Sequence, residues 1–198
     1  MNLKLTLASN NQGKLKELKE MSEECDWLSL SLAPDGFDPE EYGSTYLENA
    51  VIKAAEAAKL SGEMAVGDDS GLEVDALEGR PGLKSARYCQ GSESLGRKKL
   101  LGELQGIDGG RDARFVCAMA VCEPDKKEPV FTTLKIWKGR IGFSEKGEGG
   151  FGFDPIFYPD NHDVTAAQLS SKEKNLLSHR GQAWRETLKF LEKNFIRP

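Results

Sequence analysis

The segment Gly67-Asp68-Asp69-Ser70-Gly71 sets two carboxylates side by side among small, turn-forming residues. Adjacent carboxylates crowded at a strand end repel each other unless a cation neutralises them. A hard divalent ion, Mg²⁺ or Mn²⁺, suits such oxygens and keeps positions open for water and phosphate. A third oxygen is at hand in Pro34 to Glu48, which carries five acidic residues and neither Lys nor Arg. Glu40 and Glu41 are the adjacent acidic pair of that stretch. The aspartate segment reads equally well as a solvated turn shaped by Ser and Gly.

Three other segments have types and spacing that suit ligands. Ser9-Asn10-Asn11-Gln12-Gly13-Lys14 links an apolar strand pattern to a helical one. A helix N-terminus at the carboxyl end of a strand attracts anions, and Lys14 adds a full positive charge. The sequence lacks the G-x-x-x-x-G-K-[ST] loop, and a plain strand-to-helix turn accounts for the same residues. Gly147-Glu148-Gly149-Gly150-Phe151-Gly152 matches the dinucleotide fingerprint G-x-G-x-x-G. It follows polar residues rather than a buried strand, and Asp154-Pro155 blocks the helix that should come next, so the Rossmann assignment is rejected. Phe151, Phe153 and Asp154 among glycines suit a loop that closes an aromatic plate and a carboxylate over a flat ligand. From Lys172 to Pro198 seven Lys or Arg stand against three acids, mostly the pattern of a solvated helix face. His179 and Arg180 are expected just ahead of the last helix, where loops present side chains to ligands.

Composition narrows the chemistry. The 198 residues carry 27 Lys or Arg and 32 Asp or Glu, a net charge of −5 that disfavours bulk nucleic-acid binding. The longest strongly apolar run, Phe115 to Cys122, is eight residues, against roughly 20 for a membrane span. The first residues alternate like a strand and lack the apolar block of a signal peptide. Cysteines at 25, 89, 117 and 122 form no Cys-x-x-Cys pair, which suggests free thiols in a reducing cytoplasm. Only His162 and His179 are available, so a Ser-His-Asp hydrolase is hard to assemble.

The elements that must position these residues follow from periodicity. A strand at 3–8 is followed by a helix with Leu15, Leu18, Met21 and Cys25 on one side, then a short strand near 27–33. Thr45-x-x-Glu48 is a capping box that opens a helix whose inner stripe is predicted as Leu47, Val51, Ala54, Ala55 and Ala58. Met64 to Val66 reads as a strand that stops at the aspartates, and Leu72 to Leu77 as another that leads to the turn Gly79-Arg80-Pro81-Gly82. A helix is expected over 93–105. Strands near 113–122 and 130–141 flank a hairpin turn, Glu123 to Lys127. A loop at 147–155 precedes a last helix with Trp184, Leu188, Leu191 and Phe195 at helical spacing. The predicted fold is α/β: one domain over 1–198, a long central mixed sheet flanked by helices, with two lobes and an active-site cleft between them.

Six segments in order carry a resemblance: Ser9 to Lys14, Glu41 to Lys53, Asp68 to Leu72, Pro81-Gly82-x-x-Ser85-Ala86-Arg87-Tyr88, Phe151 to Pro155, and Ser178-His179-Arg180. Together they resemble the Ham1-like inosine/xanthosine triphosphate pyrophosphatases, which clear aberrant purine nucleotides. Asn10, Gly67 and Phe153 stand where Gly, Ala and Tyr are common. The resemblance implies that Ser9, Asn10, Asn11, Gln12, Gly13 and Lys14 hold the triphosphate. Glu41 and Asp69 would bind Mg²⁺, with Mn²⁺ as a substitute, and Asp69 would also activate the attacking water. Asp68 and Lys53 would support that site, and Ser70 would touch substrate. Phe151, Gly152, Phe153, Asp154, Lys174, His179 and Arg180 would form the base pocket, with Arg180 or Lys174 donating to the C6 oxygen. The resemblance also implies a homodimer. A Maf-like nucleotide pyrophosphatase and a catalytically silent nucleotide-binding protein are the alternatives.

Overall fold

The computed structural model describes residues 2–88, 91–126 and 128–196, so Cys89 and the hairpin residue Lys127 lie outside the described residues. Six strands form one mixed sheet: β1 (Leu3–Leu7), β2 (Leu28–Leu32), β3 (Met64–Val74), β4 (Asp112–Cys122), β5 (Phe131–Ile141) and β6 (Phe157–Pro159). Their order across the sheet is β2-β1-β3-β4-β5-β6. β1 pairs in parallel with β2 and β3, whereas β5 and β6 are antiparallel. The helices are α1 (Gln12–Glu20), α2 (Tyr46–Ser61), α3 (Ser85–Tyr88), α4 (Glu93–Glu103), α5 (Ser171–Leu177) and α6 (His179–Leu191). The α/β expectation with a mixed sheet is borne out. Among the described residues no helix is long and apolar enough to cross a membrane.

The chain passes back and forth between two compact units. The first comprises residues 1–69, 117–135 and 180–198, and the second residues 70–116 and 136–179. In the first, Leu5, Leu7, Leu18, Val66, Met119, Val121, Trp184 and Leu191 form a buried core. The core of the second gathers Leu72, Val74, Leu100, Leu104, Phe115, Trp137, Ile156 and Phe157.

Strand order explains where the functional segments meet. The connection from β1 through α1 to β2 runs one way along the sheet, and that from β2 through α2 to β3 runs back past β1. Right-handed crossovers of opposite travel place their helices on opposite faces and open a ligand site where the direction reverses. Leu7 is level with Val66, so residues 67–69 of β3 continue past the carboxyl end of β1, beside the turn that opens α1.

β3 is the main correction. The sequence predicts two strands broken at Gly67 to Gly71, but one strand runs from Met64 to Val74, and residues 75–77 form a 3-10 turn rather than strand. Turn-forming residue types yield here because the buried aspartates have cationic partners and Gly67 has a packing role. A Cβ on Gly67 would collide with the Ala50 carbonyl oxygen and lie 3.0 Å from the Ala54 amide nitrogen, so the missing side chain lets α2 close on the strand. The Thr45–Glu48 capping box is present, worth about 1 kcal/mol to the helix. The buried face of α2 is rotated from the predicted stripe: Asn49, Ala50, Lys53, Ala54, Ala57 and Ala58 face inward, while Leu47, Val51 and Ala55 are half-buried. The polar pull of Lys53 toward carboxylates, with alanines at the contact, sets this face. Residues 171–177, read as part of a charge run, form α5 behind a Ser170–Glu173 capping box.

Cys117 and Cys122 are buried on β4, and with half-buried Cys25 they are free thiols. Burial pushes the Cys122 thiol up to about 11. Iodoacetamide at about pH 8 should therefore leave Cys117 and Cys122 unmodified until denaturant opens the chain, as peptide mapping would report. Fast labelling of Cys122 in the native protein would contradict this burial.

Candidate active site

Successive residues of a strand point to opposite faces. Asp68 and Asp69 therefore do not crowd each other, and each has its own cations. Asp68 is fully buried. Its Oδ2 accepts from Arg180 Nε at 2.7 Å and its Oδ1 from Lys14 Nζ at 2.7 Å. Burial alone would raise the Asp68 pKa, but Arg180 and Lys14 outweigh it and hold the carboxyl well below its ordinary range. Arg180 Nη1 reaches Glu17 Oε2 at 2.8 Å, and this pair of carboxylates overcomes burial to raise the guanidinium pKa further. Burial dominates at Lys14 and lowers its pKa.

Asp69 faces α2. Lys53 Nζ donates to Asp69 Oδ1 at 2.5 Å and to Glu41 Oε1 at 3.2 Å, and so bridges the two expected metal ligands. Burial works against the Lys53 charge, yet Asp69 and Glu41 overcome it and raise its pKa. Burial lifts the Asp69 carboxyl above its ordinary value. Asp69 Oδ2 is buried with no hydrogen-bond partner among the described residues. A buried carboxylate oxygen without a partner is costly unless a ligand completes it. Among the described residues no three His, Cys, Asp or Glu side chains are assembled around a metal position. Two hard carboxylates and a waiting oxygen nevertheless suit Mg²⁺, which takes few protein ligands and completes its shell with water and phosphate.

The turn after β1 is already organised. Asn11 caps α1, its Oδ1 accepting from Lys14 N at 3.1 Å, and Ser9 Oγ accepts from Asn11 N at 3.0 Å. Asn10 Nδ2 donates to the Phe37 carbonyl at 2.9 Å, which ties the turn to the acidic segment. Gln12, Gly13 and Lys14 form the first helical turn.

The second unit holds a separate cluster. Lys174 Nζ donates to Asp154 Oδ2 at 2.6 Å, and both side chains are buried. Phe151 N donates to the same Asp154 oxygen at 2.8 Å, and Lys174 Nζ lies 4.9 Å from the Phe151 ring centroid. Gly150, at φ 68°, leaves the space this carboxylate occupies, since a Cβ there would meet Asp154 Cγ at 2.9 Å. Phe153 is a core residue beside Tyr88 rather than an exposed plate, and Phe151 is half-buried. His179 stacks on Phe115 with ring centroids 4.8 Å apart and planes 6° from parallel. Ser70 opens this unit, half-buried on β3.

One expectation changes. His179 and Arg180 are the first residues of α6 rather than a loop ahead of it, because Ser178 ends α5 and α6 starts at once. Arg180 itself pairs with Asp68 and Glu17 in the first unit. The sequence reading missed Glu17. Its spacing of three from Lys14 on one helix, which puts both on the same side, was the available signal.

The Ham1 family model matches residues 5–190. The chain belongs to the Ham1 family. It is 42% identical over 199 residues to the dITP/XTP pyrophosphatase of Desulforamulus reducens, covering 98% of each chain. Against the dITP/XTP pyrophosphatase of Bacillus subtilis the identity is 44% over 191 residues, covering 94% of this chain and 96% of that one. The structure of a Ham1 protein from Coxiella burnetii matches with TM-score 0.84 and 38% identity, covering 96% of this chain and 99% of that one. For the Staphylococcus aureus Ham1 protein the TM-score is 0.82 and the identity 40%, covering 96% of this chain and 98% of that one.

In this Ham1 chain the Asp68 cluster bears on stability. Asp68→Asn leaves two buried cations short of their counter-charge and should destabilise the protein by about 3 kcal/mol. Urea unfolding reads this as a lower midpoint at unchanged slope. An unmoved midpoint would mean that the cluster contributes nothing to folding.

Proposed function

We propose that this protein hydrolyses dITP, ITP, XTP and dXTP to the monophosphate and pyrophosphate, and so clears deaminated purines from the nucleotide pool. The observation that carries the reading is the buried, partnerless Oδ2 of Asp69 beside a lysine that bridges to Glu41. The names of the relatives, dITP/XTP pyrophosphatases, support the substrate class. Mg²⁺, with Mn²⁺ as a substitute, and a homodimer belong to the same proposal.

Glu41 and Asp69 would hold the metal, which when bound polarises phosphate oxygens and sharpens water as a nucleophile. Asp69 would also orient and activate the water that attacks the α-phosphorus in line. Lys53 stays cationic next to Asp69 and Glu41 and offsets charge that builds on the leaving pyrophosphate. Lys14 makes two bonds to Asp68, through its carbonyl and its carboxylate, leaving one of its three N–H donors for a phosphate oxygen. Backbone N–H groups of the first turn of α1 add donors of the kind that anions seek.

The base falls to Phe151, Gly152, Asp154 and Lys174. Hypoxanthine and xanthine present an acceptor oxygen at C6, whereas adenine presents an amino donor. A lysine donor held by Asp154 therefore meets a partner in the first case and another donor in the second. Guanine shares the C6 oxygen, so its rejection needs a separate feature near C2.

Pyrophosphate release from a panel of triphosphates tests this reading. ITP and XTP should exceed ATP by about 10³-fold or more in kcat/KM, with activity lost when Mg²⁺ is withheld. Asp69→Asn should lower turnover by about 10²-fold or more while the protein stays folded. Equal hydrolysis of ATP, GTP and ITP, or wild-type turnover in Asp69→Asn, would defeat the proposal.

A further inference from the structure

Arg97 lies on α4, distant in sequence from every segment assigned a role above, and its side chain is only 13% exposed. Its guanidinium spans the glycine-rich loop. Nε pairs with Glu145 Oε2 at 2.9 Å just before the loop, and Nη1 donates to the Gly152 carbonyl at 2.8 Å within it. Glu93, one turn back, adds a weaker contact at 3.9 Å. Between the two anchor points lie Gly147, Gly149 and Gly150, which contribute no side chains to hold the backbone. Glycine backbone has the most conformational freedom to lose, so fixing such a loop depends on bonds from outside it. The Lys146 amide bonds to the Pro155 carbonyl, and the Gly149 amide to that of Ala167, but the bond at Gly152 is charge-assisted and adjoins Phe151 and Asp154. α4 itself is anchored in the core through Leu100, with Leu104 just past its end, so the helix does not need Arg97 to fold.

We propose that Arg97 is a positioning residue for base discrimination: by clamping Glu145 and the Gly152 carbonyl, it fixes the Phe151–Asp154 turn against which the purine is selected. This rests on the assignment of Phe151, Gly152, Asp154 and Lys174 to the base. Arg97 touches no substrate in this scheme and acts through Gly152. Lysine can keep one of the two bonds but cannot span both, because its ammonium is a single point rather than a planar fork.

The test compares the wild type with Arg97→Ala and Arg97→Lys, using ITP, ATP and inorganic tripolyphosphate as a base-free inhibitor. In Arg97→Ala the ITP-to-ATP ratio of kcat/KM should fall about 10-fold, chiefly through a higher KM for ITP. Inhibition by tripolyphosphate should be unchanged, and Arg97→Lys should recover part of the ratio. An unchanged ratio overturns the proposal, as does a parallel loss of tripolyphosphate inhibition, which would mark general damage. If Arg97→Ala does not fold, Glu145→Gln removes only the ion pair that steadies the guanidinium. A smaller fall in the same ratio is then expected, and no fall counts against the clamp. A wild-type enzyme without preference for ITP over ATP would defeat the base-site assignment first and this inference with it, so the two failures are distinguishable.

Discussion

An ionised carboxylate shut away from water must be surrounded by positive charge, and Asp68 imposes that condition on the whole first unit. Lys14 from α1 and Arg180 from the start of α6 both converge on it. Glu17 then balances the excess cation that this creates. The entry of α1, the start of α6 and the course of β3 are thus fixed by one charge-satisfaction problem. Apolar packing around Trp184 and Met119 supplies the bulk of the core but would tolerate other arrangements. The ionic cluster would not, because removing any one member strands the others without water.

The pleat of β3 gives the neighbouring aspartate a different task. Asp69 points at α2, where Gly67 allows the helix backbone to come close and Lys53 reaches across. One carboxylate is saturated by its partners and the other is left an oxygen short. Two identical residues adjacent in sequence are therefore treated in opposite ways, one closed off by its partners and one left open to a ligand.

Much of this was legible in the sequence, for reasons of locality. The Thr45–Glu48 box, the β4–β5 pair and the turn after β1 depend on near neighbours, so residue type and spacing reveal them. The stretch from Gly67 to Gly71 misleads because its residue types favour turns, while its partners, Lys14, Lys53 and Arg180, lie far away in the chain. The same distance left Lys53 outside the stripe that spacing predicts for α2 and hid the pairing of Arg180 with Asp68. Ser170-x-x-Glu173 did announce α5, since it is the same capping signal as Thr45-x-x-Glu48, but the surrounding charges masked it. Nothing local marks Arg97, whose significance lies in a loop some fifty residues downstream.

The bridge from Lys53 to Glu41 and Asp69 has a bearing on how the enzyme would be loaded. The ammonium keeps two acidic groups apart from one another's repulsion without help from any dissolved ion. Assembly of the fold would then be uncoupled from the supply of any cation that the site takes. A chelator would silence such a protein without melting it, and an ion that has to compete with a tethered ammonium would bind loosely and exchange quickly. A site of that kind follows the free concentration of its cation instead of trapping it.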